Sequence, residues 1–285
     1  MASPAKIDLS CLSPDKDTDN KDGAAREAKM LDVLSAAVNS AESTDAAAAT
    51  AATDLDKLYR AEKPDAVEDF LWSLWMLLIA TVKKVPADDA RQQLLVETVA
   101  QLTRKRDDPV KLWGQDTKVW SELPMLGPCM RDAWNLRPKL NGSDQDNDAI
   151  REWISLNSFA ARMFGQKLQS WVNLAIWELR AALEEQLPEA SPTTAKDASL
   201  ATACEWIMHA GEALHEQGLQ TQSLDDMEKR ALKPGKLFSS QTSGLSNERW
   251  TFWRERLGEV GAGAGSGELK ERAQKAVDKM EGLEG

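Results

Sequence analysis

Phe70-Leu71-Trp72-Ser73-Leu74-Trp75-Met76-Leu77-Leu78-Ile79-Ala80-Thr81-Val82 is the longest apolar run in the chain, interrupted only by Ser73 and Thr81. Leu71, Leu74, Trp75, Leu78 and Val82 recur at i, i+3, i+4, i+7 and i+11, the period of an amphipathic helix. Trp72, Leu77 and Ile79 widen the apolar face, so this helix is hydrophobic most of the way round, as a central helix is. Asp65, with Glu68 three residues later, stands before it in nearly the pattern of a capping box. The run is far shorter than the roughly 20 residues that span a bilayer. It predicts a buried core helix.

Composition extends that reading to the whole chain. The 285 residues hold 39 Ala and 34 Leu against 12 Val and 6 Ile. Ala and Leu are strong helix formers, and β-branched residues favour strands. The expected fold is all-α: a single irregular bundle of about eight to ten helices, with no sheet. A net charge of −11 argues against binding to nucleic acid phosphates. The first residues lack the apolar core of a signal peptide. Cys11, Cys129 and Cys204 are odd in number and widely spaced, which fits neither a disulfide framework nor a zinc site. These features predict a cytoplasmic protein, off the membrane, with reduced thiols.

Working outward from the central run, residues 1–23 are polar, without apolar period, and read as a disordered lead-in. Residues 24–61 read as peripheral helices, with Met30, Leu31, Leu34 and Val38 on one stripe. Residues 62–260 are expected to form the helical core domain. Pro86 fits the first turn of a helix reaching Lys105, and Trp113 and Trp120, seven apart, can share a helix face. Gly165 suits the end of a helix carrying Ile150, Trp153, Leu156, Ala160 and Met163. Ser191-Pro192 reads as a cap with Pro in the first turn, and residues 219–244 as a long loop. Residues 261–267, rich in glycine, read as a flexible linker to a charged C-terminal helix over 268–285.

Chemistry-bearing patterns are scarce. Glu205, His209, Glu212 and Glu216 are spaced to line up on one helix face, as bundle metal ligands do. Their row lies almost opposite Leu200, Cys204, Ile207, Gly211 and Leu214, which predicts a solvated outer face. Asp144, Asp146 and Asp148 begin like a calcium loop, but Ala149 stands where Gly is needed and Ser155 where Glu is needed. Asp225-Asp226-Met227-Glu228 has the wrong spacing for the acidic metal motif of terpene cyclases. Arg104-Lys105-Arg106 is a solvated helix end. No metal and no cofactor is expected, and no catalytic motif stands out.

Several strings occur in a distinctive order: Leu112-Trp113-Gly114, Trp120-Ser121-Glu122-Leu123-Pro124, Arg131-Asp132-Ala133-Trp134, and Trp153 through Met163. Ala175–Arg180, Ala203–Ile207, Arg249-Trp250 and Trp253 follow. Over about residues 65–258 the chain resembles the fungal domain-of-unknown-function family numbered 3632. The resemblance implies a helical protein without membrane spans, and carries over no catalytic residue.

The candidate site residues are Trp120, Arg131, Asp132, Trp134, Trp153, Asn157 and Arg162, polar groups set among aromatic ones. They are expected to form either a structural ion-pair network, in which Arg131 or Arg162 meets Asp132, or the lining of a pocket. The functional reading is an interaction or scaffold module for a protein partner. The alternatives are a module for a small apolar or aromatic metabolite in a Trp-lined pocket, and an enzyme with an unfamiliar arginine and carboxylate site.

Overall fold

The computed structural model describes residues 5–15, 19–138, 146–186, 193–220, 223–240 and 242–284. In chain order the helices are α1 (Lys21–Val38), α2 (Thr44–Arg60), α3 (Val67–Lys84) and α4 (Arg91–Thr103). A hairpin of β1 (Pro109–Leu112) and β2 (Gln115–Lys118) follows, then α5 (Leu126–Asn135). The remaining helices are α6 (Asp146–Gly165), α7 (Val172–Leu179), α8 (Thr193–Gly218), α9 (Asp226–Ala231), α10 (Asn247–Ala262) and α11 (Gly267–Glu284). A single π-helical turn, Arg180–Glu184, extends α7. No described helix is long and apolar enough to cross a membrane.

By contact the chain divides into two compact units, Met1–Arg137 and Pro138–Gly285. In the first unit α3 packs against α1, α4 and α5, and α2 packs against α1 and α4. Phe70, Leu71, Leu74 and Trp75 of α3 are buried with Met30, Leu34 and Leu55. Burying each such side chain is worth about 1.5–3 kcal/mol. The second unit is built on α8, which touches α6, α7, α10 and α11. Gly165 lets α6 approach it closely, because a Cβ there would run into the carbonyl oxygen of His209. That contact, more than the expected helix-ending role, accounts for glycine at this position.

Two strands correct the expectation of a sheet-free fold. β1 and β2 pair antiparallel, Leu112 opposite Gln115, around the two-residue turn Trp113-Gly114, whose φ angles are +50° and +79°. Such turns need positive φ at both positions, which Gly114 supplies freely. The chain turns back at Gly114, so Trp113 and Trp120 do not share a helix face.

The ends also differ. Leu9 is buried, and the Ile7 backbone exchanges hydrogen bonds with the Asn39 side chain at 2.9 and 3.0 Å; that part of the lead-in is packed. Residues 263–266 form the short connection between α10 and α11, and Gly261, Ala262 and Gly267 belong to those helices. Gly261 presses against Ala273, and the Gly265 N–H donates to Asp197 at 3.1 Å. Inside the expected 219–244 loop, Asp225 and Glu228 form the capping box of α9. At α3 the cap reading does not hold: Pro64–Ala66 form a 3-10 turn, and α3 starts without a side-chain cap. Residues 1–4 of the lead-in, Asp144 of the calcium-like loop and the Ser191-Pro192 cap lie outside the described residues.

Candidate functional site

In the first unit the end of α2 and the start of α3 face the hairpin across an open groove of about 600 Å³. Tyr59, Arg60, Glu62, Pro64 and Val67 line one side, and Asp108 to Leu112 the other. Tyr59 meets Trp120 edge-on at 5.3 Å, and Trp120 meets Trp75 edge-on at 6.4 Å. Each indole N–H is used: Trp120 Nε1 donates to Asp56 at 2.8 Å, and Trp75 Nε1 to the Pro124 carbonyl at 2.8 Å. Arg60 ties the wall together, bonding Asp56 at 2.9 Å, Asp108 at 2.7 Å and the Arg106 carbonyl at 2.8 Å. Burial, and then the negative charge of Asp108, push the Tyr59 phenol above its ordinary pKa, so it stays protonated.

The hairpin tip rests on α3 through one bond, from Trp113 Nε1 to Glu68 at 2.9 Å. Trp113 nevertheless leaves 62% of its surface exposed. It does so in a left-handed backbone conformation that costs a non-glycine residue about 1–2 kcal/mol. One turn beyond Glu68 on α3, Trp72 is 38% exposed, and Met76 is 40% exposed one turn further. The all-round hydrophobicity of α3 is therefore only partly spent on the core.

The expected site residues separate into two groups. Trp120 is buried beneath the groove, joined to Tyr59. Arg131 and Asp132 are exposed on α5, and Trp134 is buried beside them. Trp153, Asn157 and Arg162 belong to α6 in the second unit. Asn157 is fully buried, donating to the Trp153 carbonyl at 2.9 Å and accepting from Trp206 Nε1 at 2.8 Å. Arg162 Nε reaches the Ser158 hydroxyl at 3.4 Å.

Two buried charge networks in the second unit escaped the sequence reading. Glu184, in the π-helical turn, is fully buried and accepts from four donors. These are Arg249 Nε at 2.6 Å, Arg249 Nη2 at 3.1 Å, Trp253 Nε1 at 2.6 Å and the Gly235 N–H at 2.6 Å. Arg249 also donates to the carbonyls of Leu232 at 2.9 Å and Gly244 at 2.6 Å. Nothing local to Glu184 signals this role; its partners lie more than fifty residues away.

The second network overturns the solvated reading of the Glu205–Glu216 row at its first member. Glu205 is fully buried, paired with Arg272 and 3.4 Å from His209 Nε2. The outer face of α8 is covered by α11, whose Arg272 reaches Glu205 and whose Lys279 donates to the Met208 carbonyl at 2.6 Å. Burial, with Arg162 and Lys279 nearby, pushes His209 down to about 3. Glu212 of the same row is exposed, as expected.

The sequence profile of the family described as a protein of unknown function, DUF3632, matches residues 75–257. The chain belongs to the DUF3632 family. The matched stretch runs from Trp75 in α3 to Leu257 in α10 and so takes in residues of both units. No curated protein and no solved structure matches the chain. The description of the DUF3632 family assigns its members no function. Among the described residues, no group of three or more His, Cys, Asp or Glu is arranged to hold a metal ion.

Proposed function

We propose that this DUF3632 protein is an interaction module that engages a protein partner through the hairpin tip and the outer face of α3. One observation carries the reading: Trp113, Trp72 and Met76 stay exposed while the other tryptophans of this unit, Trp75, Trp120 and Trp134, are buried. Exposed tryptophan and methionine side chains are the composition of interface anchors. Trp113 adds a conformational cost that folding alone does not call for. The groove beside the hairpin is open and has no tryptophan in its lining, which favours this reading over a metabolite held in a Trp-lined pocket.

The test is photo-crosslinking in cells that express the full chain with benzoylphenylalanine in place of Met76. Protein crosslinks from this position, lost when Trp72 and Trp113 are both changed to Ser, are expected. A folded chain that forms no protein crosslink from this face would overturn the proposal.

A further inference from the structure

β1 has one paired edge and one open edge. The bond from the Val119 N–H to the Asp108 carbonyl, at 3.4 Å, carries the ladder one pair beyond the strands. Bonded pairs alternate along an antiparallel ladder, so Asp108, Val110 and Leu112 turn their backbone groups to β2. Lys111 turns its N–H and C=O the other way, and so does the Pro109 carbonyl. The groove of about 600 Å³ lies along that open edge. All five residues from Asp108 to Leu112 line it, and none from Gln115 to Lys118 does. Successive side chains of a strand point to opposite faces. A groove on one face of the hairpin would meet alternate residues of β1, and would meet β2 as well.

We infer that this groove binds an extended segment of another protein, which adds to β1 as an antiparallel third strand. One residue of the segment accepts from the Lys111 N–H and donates to the Lys111 carbonyl, as in recognition by strand addition. The dimensions suit a single chain. The four residues of β1 extend over about 13 Å, and one strand in a packed sheet has a cross-section of about 5 by 10 Å. A segment of that length fills roughly 650 Å³, close to the 600 Å³ of the groove. A slot one chain wide keeps out the edge of another sheet. Its width is set before binding, because Arg60 holds Asp108 at one end of β1 and Glu68 holds Trp113 at the other. Little ordering of the groove is left to oppose association.

Charge selects the segment. Within the lining Arg60 and Asp108 bond each other at 2.7 Å, and Glu62 faces Arg26 at 3.9 Å. Lys111 is exposed and makes no ion pair among the described residues, Asp116 opposite it in the ladder included. The segment's residue beside Lys111 is therefore acidic, since opposite charges side by side on a sheet attract. Its two neighbours turn inward, on the side of Val110 and the buried Leu112, and are apolar. Pro109 offers the edge no N–H, so the segment is anchored at Lys111. Proline and lysine on a free edge also discourage indiscriminate pairing, which leaves the edge to a segment of matching charge.

This surface is distinct from the outer face of α3, and the two are tested apart. Random heptapeptides displayed on phage are selected on the full chain, and the enriched ones are synthesised. They should alternate apolar residues around an acidic one. Methylating the backbone nitrogen of that acidic residue should weaken binding to the wild-type chain by about tenfold or more, because it removes one bond of the added strand and no side chain. Lys111→Pro removes the outward N–H without touching a bond to β2. It should abolish binding while circular dichroism and melting stay as in wild type. Lys111→Glu should redirect the selection to peptides with a basic residue at the central place. Trp72→Ser, which alters only the α3 face, should bind the first peptides unchanged. A selection that enriches no peptide on wild type over Lys111→Pro, peptides indifferent to N-methylation, or binding lost in Trp72→Ser would overturn strand addition in this groove. So would a dimer in sedimentation that Lys111→Pro breaks, since a second copy would then fill the edge.

Discussion

Replacing Glu184 by Leu removes the acceptor on which the core of the second unit converges. Arg249 would be left with the carbonyls of Leu232, Gly244 and Lys233, at 2.9, 2.6 and 3.4 Å, for a guanidinium with no access to water. Breaking a buried pair by removing one partner costs about 3–5 kcal/mol. The N–H groups of Trp253 and Gly235, each now 2.6 Å from the carboxylate, would be orphaned as well. An orphaned buried donor costs about 1–3 kcal/mol. These losses overlap, since all act through one side chain, and a total of about 5 kcal/mol is expected. A domain has roughly 5–15 kcal/mol in all, so the variant should be barely folded. Glu184→Leu/Arg249→Met, which removes both charges and keeps apolar volume, should recover at least about 2 kcal/mol of that loss. Urea unfolding at neutral pH, with amide exchange in α10 to isolate the second unit, measures both. A single variant within about 1 kcal/mol of wild type would refute the reasoning. So would a double variant no more stable than the single one.

His209, pushed down to about 3 from 6.5 by burial, should make the second unit lose stability as pH falls. Below pH 6.5 the unfolded chain binds a proton that the folded one refuses, at about 1.4 kcal/mol per pH unit. Amide exchange in α8 should show this slope between pH 6.5 and 4, and His209→Gln should flatten it; equal slopes would disprove the assignment. Trp113→Asn, placing a residue tolerant of left-handed backbone before Gly114, should leave the melting temperature unchanged or raise it by the equivalent of about 1 kcal/mol. A clear drop would make Trp113 a structural residue. Gly165→Ala should destabilise by about 2 kcal/mol or more in urea unfolding, because its methyl would enter the His209 carbonyl; an unchanged midpoint would show that α6 and α8 can separate freely. Asp132→Ala, at an exposed position of α5, should change stability by less than about 0.5 kcal/mol. A loss of several kcal/mol would revive the ion-pair network expected from the motif.

The helices were legible in the sequence because each carries its own evidence. Apolar period located α1, α3, α6 and most of α8, since one face of a helix must be buried wherever the helix goes. The tryptophan-rich strings and the family resemblance were readable for the same reason: they are statements about residues in order. The hairpin was harder. Four-residue strands carry too short a pattern, and Trp113 and Trp120 mimic a helical spacing. What only the tertiary structure decided is which faces are covered. The wheel of α8 set Glu205 and His209 opposite the apolar stripe, and that geometry is correct. It could not show that α11, charged and distant in sequence, would close over that face with Arg272 and Lys279. Glu184 became the acceptor of four donors because residues 235, 249 and 253 fold back onto it. On α3 the reverse occurred: Trp72, read as part of a widened apolar face, remains at the surface with Met76. Local period shows that a face is apolar or charged. Whether water, the same chain or another molecule covers it depends on packing between segments far apart in sequence.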